Sequence, residues 1–160
     1  MDPDQVTEKL IDSVRRFLDL VRSLDPHTYR RRVTGQWSTH EITAHLTGWN
    51  RLMIEACETI RKGMLPGYFG EIATNMAQVN ARLVEEYAGL SQNELCQRTE
   101  ATLDELLRYA SRLPAGDLTR DFGVRVRNEV VVTLLGSLDV LAQDYDHHRE
   151  QILKMLEHSA

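Results

Sequence analysis

Aromatic residues, cysteines and long apolar segments are all scarce in this chain. Only 6% of its 160 residues are aromatic, and its two cysteines, Cys57 and Cys96, form no paired-cysteine motif. We therefore expect reduced, buried thiols in a cytoplasmic protein. The start of the chain is polar and acidic, without a secretory signal, and no segment has the apolar length that a membrane span needs. These features predict a protein without a membrane partner.

An excess of positive charge is also missing. The chain has 19 basic and 24 acidic residues, for a net charge of −5. Nucleic-acid binding depends on basic surfaces that neutralise phosphates, and the run Arg30-Arg31-Arg32 is short and falls in a predicted loop. The sequence also contains no glycine-rich phosphate loop and no nucleophile elbow. We therefore expect no nucleic-acid partner.

The apolar residues follow helical spacing along most of the chain. A composition of 42% hydrophobic and 27% charged residues is ordinary for a globular protein, and the length predicts a single domain over residues 1–160. Four long amphipathic patterns predict an all-α, antiparallel four-helix bundle. The patterns run from Pro3 to Asp25, from Ser38 to Gly63, from Ile72 to Leu113 and from Thr133 to Glu157.

Helix-capping residues support these boundaries. Ser38 with Glu41 and Ser91 with Glu94 have the spacing of capping boxes. Gly89 interrupts the third pattern, and the sequence leaves open whether this is a kink or a break. The β-branched residues at 124–132 allow either a short hairpin or a loop before the last helix.

Two histidines occupy positions where a core leucine is expected. His45 lies on the apolar face of the second pattern, His148 lies on that of the fourth, and Asp144 is one turn before His148. If the two helices are neighbours, the two imidazoles and the carboxylate form a common three-ligand set for zinc or a related divalent ion, with one position left open. The alternative is a hydrogen-bonded core histidine without a metal, because buried imidazoles need partners.

Two further histidines are expected to stay outside this cluster. His147 points roughly a hundred degrees away from His148 on the helix. His40, in the first turn of the second helix, is expected to face solvent.

Three aromatic residues are candidates for binding a substrate. Trp49 lies one turn after His45, Tyr68 lies in the breaker-rich loop 63–70, and Tyr145 follows Asp144 directly. The alternative for each is core packing, which accounts for most aromatic residues in small domains.

Two short motifs carry a resemblance to a known family. The segment 37–49, WSTHEITAHLTGW, resembles the second-helix signature of the DinB-like superfamily, and 147–152, HHREQI, resembles its last-helix signature. The resemblance implies a bundle with up-down-down-up topology, commonly a homodimer. It also implies a zinc or nickel ion held by three histidines, one on the second helix and two spaced i, i+4 on the last.

Transferred to this chain, the ligand positions fall on His45, Asp144 and His148, with aspartate where the family pattern has histidine. A carboxylate oxygen binds the same ions. Relatives include transferases and isomerases that use low-molecular-weight thiols, and metal-dependent hydrolases. A ClbS-like branch protects against a genotoxin without an evident metal centre, and segments 63–68 and 144–145 of this chain look similar to that branch.

Three hypotheses follow from the residues and the resemblance together. The first is a metal-dependent thiol S-transferase or hydrolase that acts on a small electrophilic molecule. The second is a metal-free ClbS-like protein that binds or sequesters a reactive ligand. The third is a structural or dimerising bundle whose buried polar groups are all satisfied.

Overall fold

The computed structural model describes residues 1–69 and 73–158, except for the side chains of residues 73 and 74. Within these residues the protein is mostly helical. The helices are α1 (Pro3–Ser23), α2 (Pro26–Arg30), α3 (Thr39–Arg61), α4 (Ala73–Tyr87), α5 (Gln92–Ser111) and α6 (Leu134–Glu157). The strands β1 (Arg32–Thr34) and β2 (Trp37–Ser38) form one antiparallel pair, and β3 (Arg125–Val126) and β4 (Val130–Val131) form another.

The helix boundaries largely follow the predicted capping residues. Both predicted capping boxes are formed, and the Thr133 hydroxyl accepts a hydrogen bond from the Gly136 amide at 2.9 Å. The interruption at Gly89 is a break, because α4 ends at Tyr87 and α5 begins at Gln92. Ile72, the predicted start of the third helix, lies outside the described residues. The hairpin before the last helix is present as β3 and β4.

Ion pairs and hydrogen bonds define the directions of the packed helices. Lys9 pairs with Asp139 and Arg16 pairs with Asp146, so α1 and α6 are parallel. In the same way, α3 and α5 are parallel, since Thr47 bonds to Thr99 and three residues later Asn50 bonds to Thr102.

Gln92, in the first turn of α5, donates to the carbonyls of Val21 and Leu24 at the end of α1. The helices α1 and α5 are therefore antiparallel. Together with the two parallel pairs, this gives the up-down-down-up order of α1, α3, α5 and α6. The antiparallel bundle of the sequence analysis is thus a DinB-like arrangement in which α3 packs on both α5 and α6.

The helix α4 packs against α3 at a glycine. A Cβ atom on Gly48 would lie 2.8 Å from the Cβ and Cδ2 atoms of Leu83, closer than side chains tolerate. On the next residue of α3, the Trp49 indole N–H donates to the Asn80 side chain at 2.9 Å. Gly48 therefore permits the close approach of α4 to α3. The hydrogen bond between Trp49 and Asn80 fixes the position of one helix along the other.

The two cysteines are free and buried in the core, as their spacing suggested. Burial raises the pKa of the Cys57 thiol to about 12. A thiol with such a pKa is almost entirely protonated at neutral pH, so it is a poor nucleophile and a poor metal ligand.

No helix in the described ranges is long and apolar enough to cross a membrane.

The expectation that His40 faces solvent is wrong. Its side chain is buried, and both ring nitrogens are hydrogen-bonded. The Nε2–H donates to the Ala88 carbonyl at 2.9 Å, and Nδ1 accepts from the Tyr29 hydroxyl at 2.6 Å. His40 thus joins α2, α3 and the turn before α5. Its position in the first turn suggested exposure, but these partners come from distant segments.

We predict that His40→Ala lowers the free energy of unfolding by about 2–4 kcal/mol, because it leaves the buried Tyr29 hydroxyl without a partner and removes the hydrogen bond to the Ala88 carbonyl. Urea denaturation would measure the loss. The exposed His27 in α2 supplies the control, since His27→Ala should change stability by about 0.5 kcal/mol or less. Equal stabilities for the two variants would contradict a structural role for His40.

Candidate metal centre

Three side chains from α3 and α6 meet on the inner side of the bundle. His45 lies in the second turn of α3, while Asp144 and His148 lie one turn apart in α6. His45 and His148 are buried, at 5% and 8% exposure, and the Asp144 side chain is 35% exposed. Packing of α3 on α6 therefore brings together the three residues that the sequence singled out.

The Asp144 carboxylate lies between the two imidazoles. Its Oδ2 is 3.2 Å from His45 Nε2, and its Oδ1 is 3.4 Å from His148 Nε2. One ligand atom from each of the three residues lies within 4.8 Å of the others. Atoms bound tetrahedrally at about 2.0–2.1 Å from zinc are about 3.3 Å apart, so the separations suit a common ion.

A hydrogen bond from Gln151 determines which nitrogen of His148 is available. The Nδ1–H of His148 donates to Gln151 Oε1 at 2.8 Å, so Nε2 carries a lone pair. This nitrogen lies 3.4 Å from the Oδ1 of Asp144, which is also an acceptor. Two acceptors at this distance repel each other unless a proton or a cation lies between them. This is the pattern in which the second nitrogen of a metal-binding histidine is held by an outer partner.

His45 is not a fully hydrogen-bonded core histidine. Its Nε2–H donates to Asp144, but its Nδ1 is buried and has no hydrogen-bond partner in the structure. His40 differs from His45 in this respect, because both of its ring nitrogens have hydrogen-bond partners. An unpaired buried nitrogen costs about 1–3 kcal/mol. A structural bundle in which every buried polar group is satisfied therefore does not describe His45.

We refer to His45, Asp144 and His148 together as the trio. The electrostatics of Asp144 and His148 favour the protonation states that metal ligands need. Burial alone would raise the pKa of Asp144, but the hydrogen bond from His45 and the positive charge available on His148 outweigh it and lower the pKa. Burial lowers the pKa of His148, although the Asp144 carboxylate opposes this. A charged carboxylate and a neutral imidazole are therefore favoured near neutral pH.

Aromatic rings surround His45. The Trp37 ring centre lies 5.0 Å from that of His45, and Trp49 lies edge-on at 6.3 Å. Tyr68, from the loop after α3, packs edge-on against Trp49 at 5.6 Å. Two of the three predicted substrate-binding residues, Trp49 and Tyr68, thus lie on the His45 side of the site.

The third predicted substrate-binding residue, Tyr145, lies in the core. It is fully buried, packs against Phe17, and donates its hydroxyl proton to Asn50 at 2.9 Å. Because its ring and its hydroxyl both have partners in the core, we leave it out of the proposed pocket. His147 is exposed and outside the trio, in agreement with its direction on the helix.

Sequence analysis assigned no role to Gln151 or Trp37, although both occur in the two motifs. The spacing of Gln151, three residues after His148, is the signal for its contact with that ring. Trp37 precedes the capping box, and only the β1–β2 pairing directs its ring toward His45.

Comparison with known proteins identifies the family. The sequence model of the DinB superfamily matches residues 5–152. The chain belongs to this superfamily. No curated protein matches it by sequence.

Solved structures of other proteins share the DinB fold with this chain. The mycothiol-dependent maleylpyruvate isomerase superposes with a TM-score of 0.73 at 10% identity over 95% of this chain, which spans only 61% of the isomerase. The sibling lethal factor precursor DfsB gives 0.76 at 17% identity, over 99% of this chain and 97% of its own. The colibactin self-resistance protein ClbS, in complex with double-stranded DNA, gives 0.73 at 15%, over 95% and 93%.

We predict that His148 in the metal-free protein is the Nδ1–H tautomer, and that Gln151→Ala shifts it toward the Nε2–H tautomer. Without the Gln151 oxygen, the better acceptor for the ring proton is Asp144. Long-range ¹H–¹⁵N correlation spectra of the imidazoles would show the change. The exposed His147 is the internal control, and unchanged His148 signals in the variant would refute the assignment.

Proposed function

We propose that the chain is a metal-dependent enzyme of the DinB superfamily, in which His45, Asp144 and His148 hold a zinc or nickel ion. Its reaction would be thiol transfer to, or hydrolysis of, a small electrophilic molecule. The observation that carries this proposal is that one ligand atom from each of the three residues lies within 4.8 Å of the others. A divalent cation at this point would also relieve the repulsion between a neutral His148 Nε2 and the Asp144 carboxylate.

The residues fit such an ion in number and type, and His45 would give up the Nε2 proton that it donates to Asp144 when the ion binds. A divalent ion with an open position would lower the pKa of a bound water or thiol and so supply a nucleophile. Gln151 orients the His148 ring, and the buried positions of both histidines restrict the access of bulk water. The negative charge of the Asp144 carboxylate would neutralise one of the two positive charges of the divalent ion. A neutral histidine at this position could not do so.

The fold relatives support the thiol version of the reaction. The isomerase is named as mycothiol-dependent, and its fold covers nearly all of this chain. We therefore propose a low-molecular-weight thiol as the cosubstrate, with Trp49 and Tyr68 lining the approach to the ion from the His45 side.

A metal-free ligand-binding protein of the ClbS type is the second candidate. The observation that favours it is the direct hydrogen bond from His45 to Asp144, which already occupies one oxygen of the carboxylate. In this function the trio and the neighbouring rings would recognise a reactive small molecule. The net charge of −5 disfavours a complex with DNA such as the one that ClbS forms.

We predict that the protein, purified without a metal-affinity tag, contains stoichiometric zinc or nickel, and that His45→Ala loses it. Removing one of three ligands leaves too few donors for a stable site. Elemental analysis would measure the content, and circular dichroism would confirm that the variant is folded. His147→Ala is the matched control, because this neighbouring histidine is exposed and outside the trio.

A protein that takes up no zinc or nickel under any loading condition would overturn the enzyme proposal. The second candidate would then be tested on the same sample. A rise in melting temperature with small electrophiles supports ligand binding without a metal.

We predict that the Co²⁺-substituted protein develops a thiolate-to-cobalt charge-transfer absorption when a low-molecular-weight thiol such as mycothiol or glutathione is added. A thiol that takes the open position loses its proton to become a ligand. Absorption spectroscopy would record the band, with a thioether of similar size as the control. Stoichiometric metal without any such band would favour hydrolysis over thiol transfer.

A further inference from the structure

A cavity lies at the end of α3 that is remote from the candidate metal centre. It measures about 440 Å³, within the range of small-molecule sites, and it is formed by the end of α3, the end of α5 and residues 112–114. Arg61 in its wall comes sixteen residues after His45 on α3, which separates the two by about 24 Å along the helix axis. A small ligand in this cavity therefore does not contact the trio.

One side of the cavity is held in place by a buried acid. The Arg61 Nε donates to Asp117 at 3.1 Å, and its Nη1 donates to Glu58 at 2.9 Å. Asp117 is buried, and the Tyr109 hydroxyl donates to the same Glu58. These contacts fix the Arg61 guanidinium and the Tyr109 ring before any ligand binds.

The other side carries two arginines without an acidic partner. Arg108 and Arg112 are exposed and one helical turn apart, and their guanidinium groups form no hydrogen bond or ion pair with any described residue. Glu105, the acid in the wall, lies 3.7 Å from the Nε of Arg51, which is outside the cavity. Like charges at this spacing repel each other, and an anion between them would relieve the repulsion.

We propose that this cavity binds a phosphate monoester of a small organic molecule. The phosphate is held between the guanidinium groups of Arg108 and Arg112, whose planar sets of N–H donors match its oxygens. Two positive charges match the phosphate dianion, whereas a carboxylate has one negative charge and one oxygen fewer. Arg61 adds the N–H donors of its Nη2, which has no partner among the described residues.

The rest of the wall suits the organic part of such a ligand. The Tyr109 ring, Leu113 and Pro114 line the cavity beside the arginines. Tyr109 and Leu113 are half-buried and pack against the core, so each covers the core with one side and leaves apolar surface on the other. An aromatic or aliphatic group attached to the phosphate would cover this surface.

Binding can be tested on the full-length protein with phenyl phosphate, inorganic phosphate and phenol as probes, at an ionic strength held constant with sodium chloride. We expect phenyl phosphate to give saturable ¹H–¹⁵N shifts at the guanidinium Nε–H groups of Arg108 and Arg112 and at the backbone amides of Tyr109 and Leu113. Phenyl phosphate should bind about threefold or more tightly than inorganic phosphate, because the ring covers apolar wall. Phenol, which has no phosphate, should bind more weakly than either.

The two partner-free arginines supply the variants. Arg108→Gln and Arg112→Gln should each weaken phenyl phosphate binding by about two- to fivefold, the value of one exposed ion pair. Arg98→Gln is the matched control, because Arg98 is an exposed arginine of α5 outside the cavity, and this change should leave the affinity unaltered. Thermal melting would confirm that all three variants are folded.

Four results would overturn the proposal. They are an absence of saturable shifts at these residues, equal affinity for inorganic and phenyl phosphate, tighter binding of phenol than of phenyl phosphate, and equal weakening by Arg98→Gln and the two cavity variants. The first is expected if the arginines only interact with the negative end of the α5 dipole.

A short DNA duplex that shifts the same residues at lower concentrations than phenyl phosphate would also overturn it, since the ligand would then be a polyanion. The elemental analysis concerns the trio alone, so each of the two proposals can fail while the other holds.

Discussion

The interaction on which the site depends is the placement of one carboxylate between two imidazoles from different helices. Asp144 reaches His148 through the i, i+4 geometry of α6, and it reaches His45 only because α3 packs beside α6. The ridge of apolar residues that holds these helices together thus also holds three polar groups at ligating distance. Burial would oppose this arrangement unless each charge had a partner or a cation.

Much of the fold and the trio could be predicted from sequence because both depend on local periodicity. Caps such as Ser38 and Thr133 depend on neighbouring residues alone, and they mark the helix starts correctly. His45 and His148 stood out because a polar residue on an apolar face is rare, and the DinB resemblance supplied the pairing of their helices. The direction of each helix needed that resemblance as well, since amphipathic patterns carry no information about topology.

The parts that sequence could not predict depend on contacts between distant segments. His40 and His45 are five residues apart on one helix, yet one is fully satisfied by Tyr29 and Ala88 and the other is left with an unpaired nitrogen. Tyr145 shared the apolar face with His148, and only the structure shows, by its full burial, its packing on Phe17 and its bond to Asn50, that it belongs to the core. Periodicity identifies a buried face but does not identify the partner of each polar atom.

The glycine at position 48 has a consequence for engineering this bundle. Helix propensity favours alanine over glycine by about 1 kcal/mol, so a consensus or helix-stabilising redesign would replace it. The replacement would push α4 off α3 at Leu83 and strain the adjacent bond between Trp49 and Asn80. Because Trp49 packs against His45, the substitution would also displace an aromatic ring beside the candidate metal centre. A thermostable version of this protein therefore has to keep glycine at position 48.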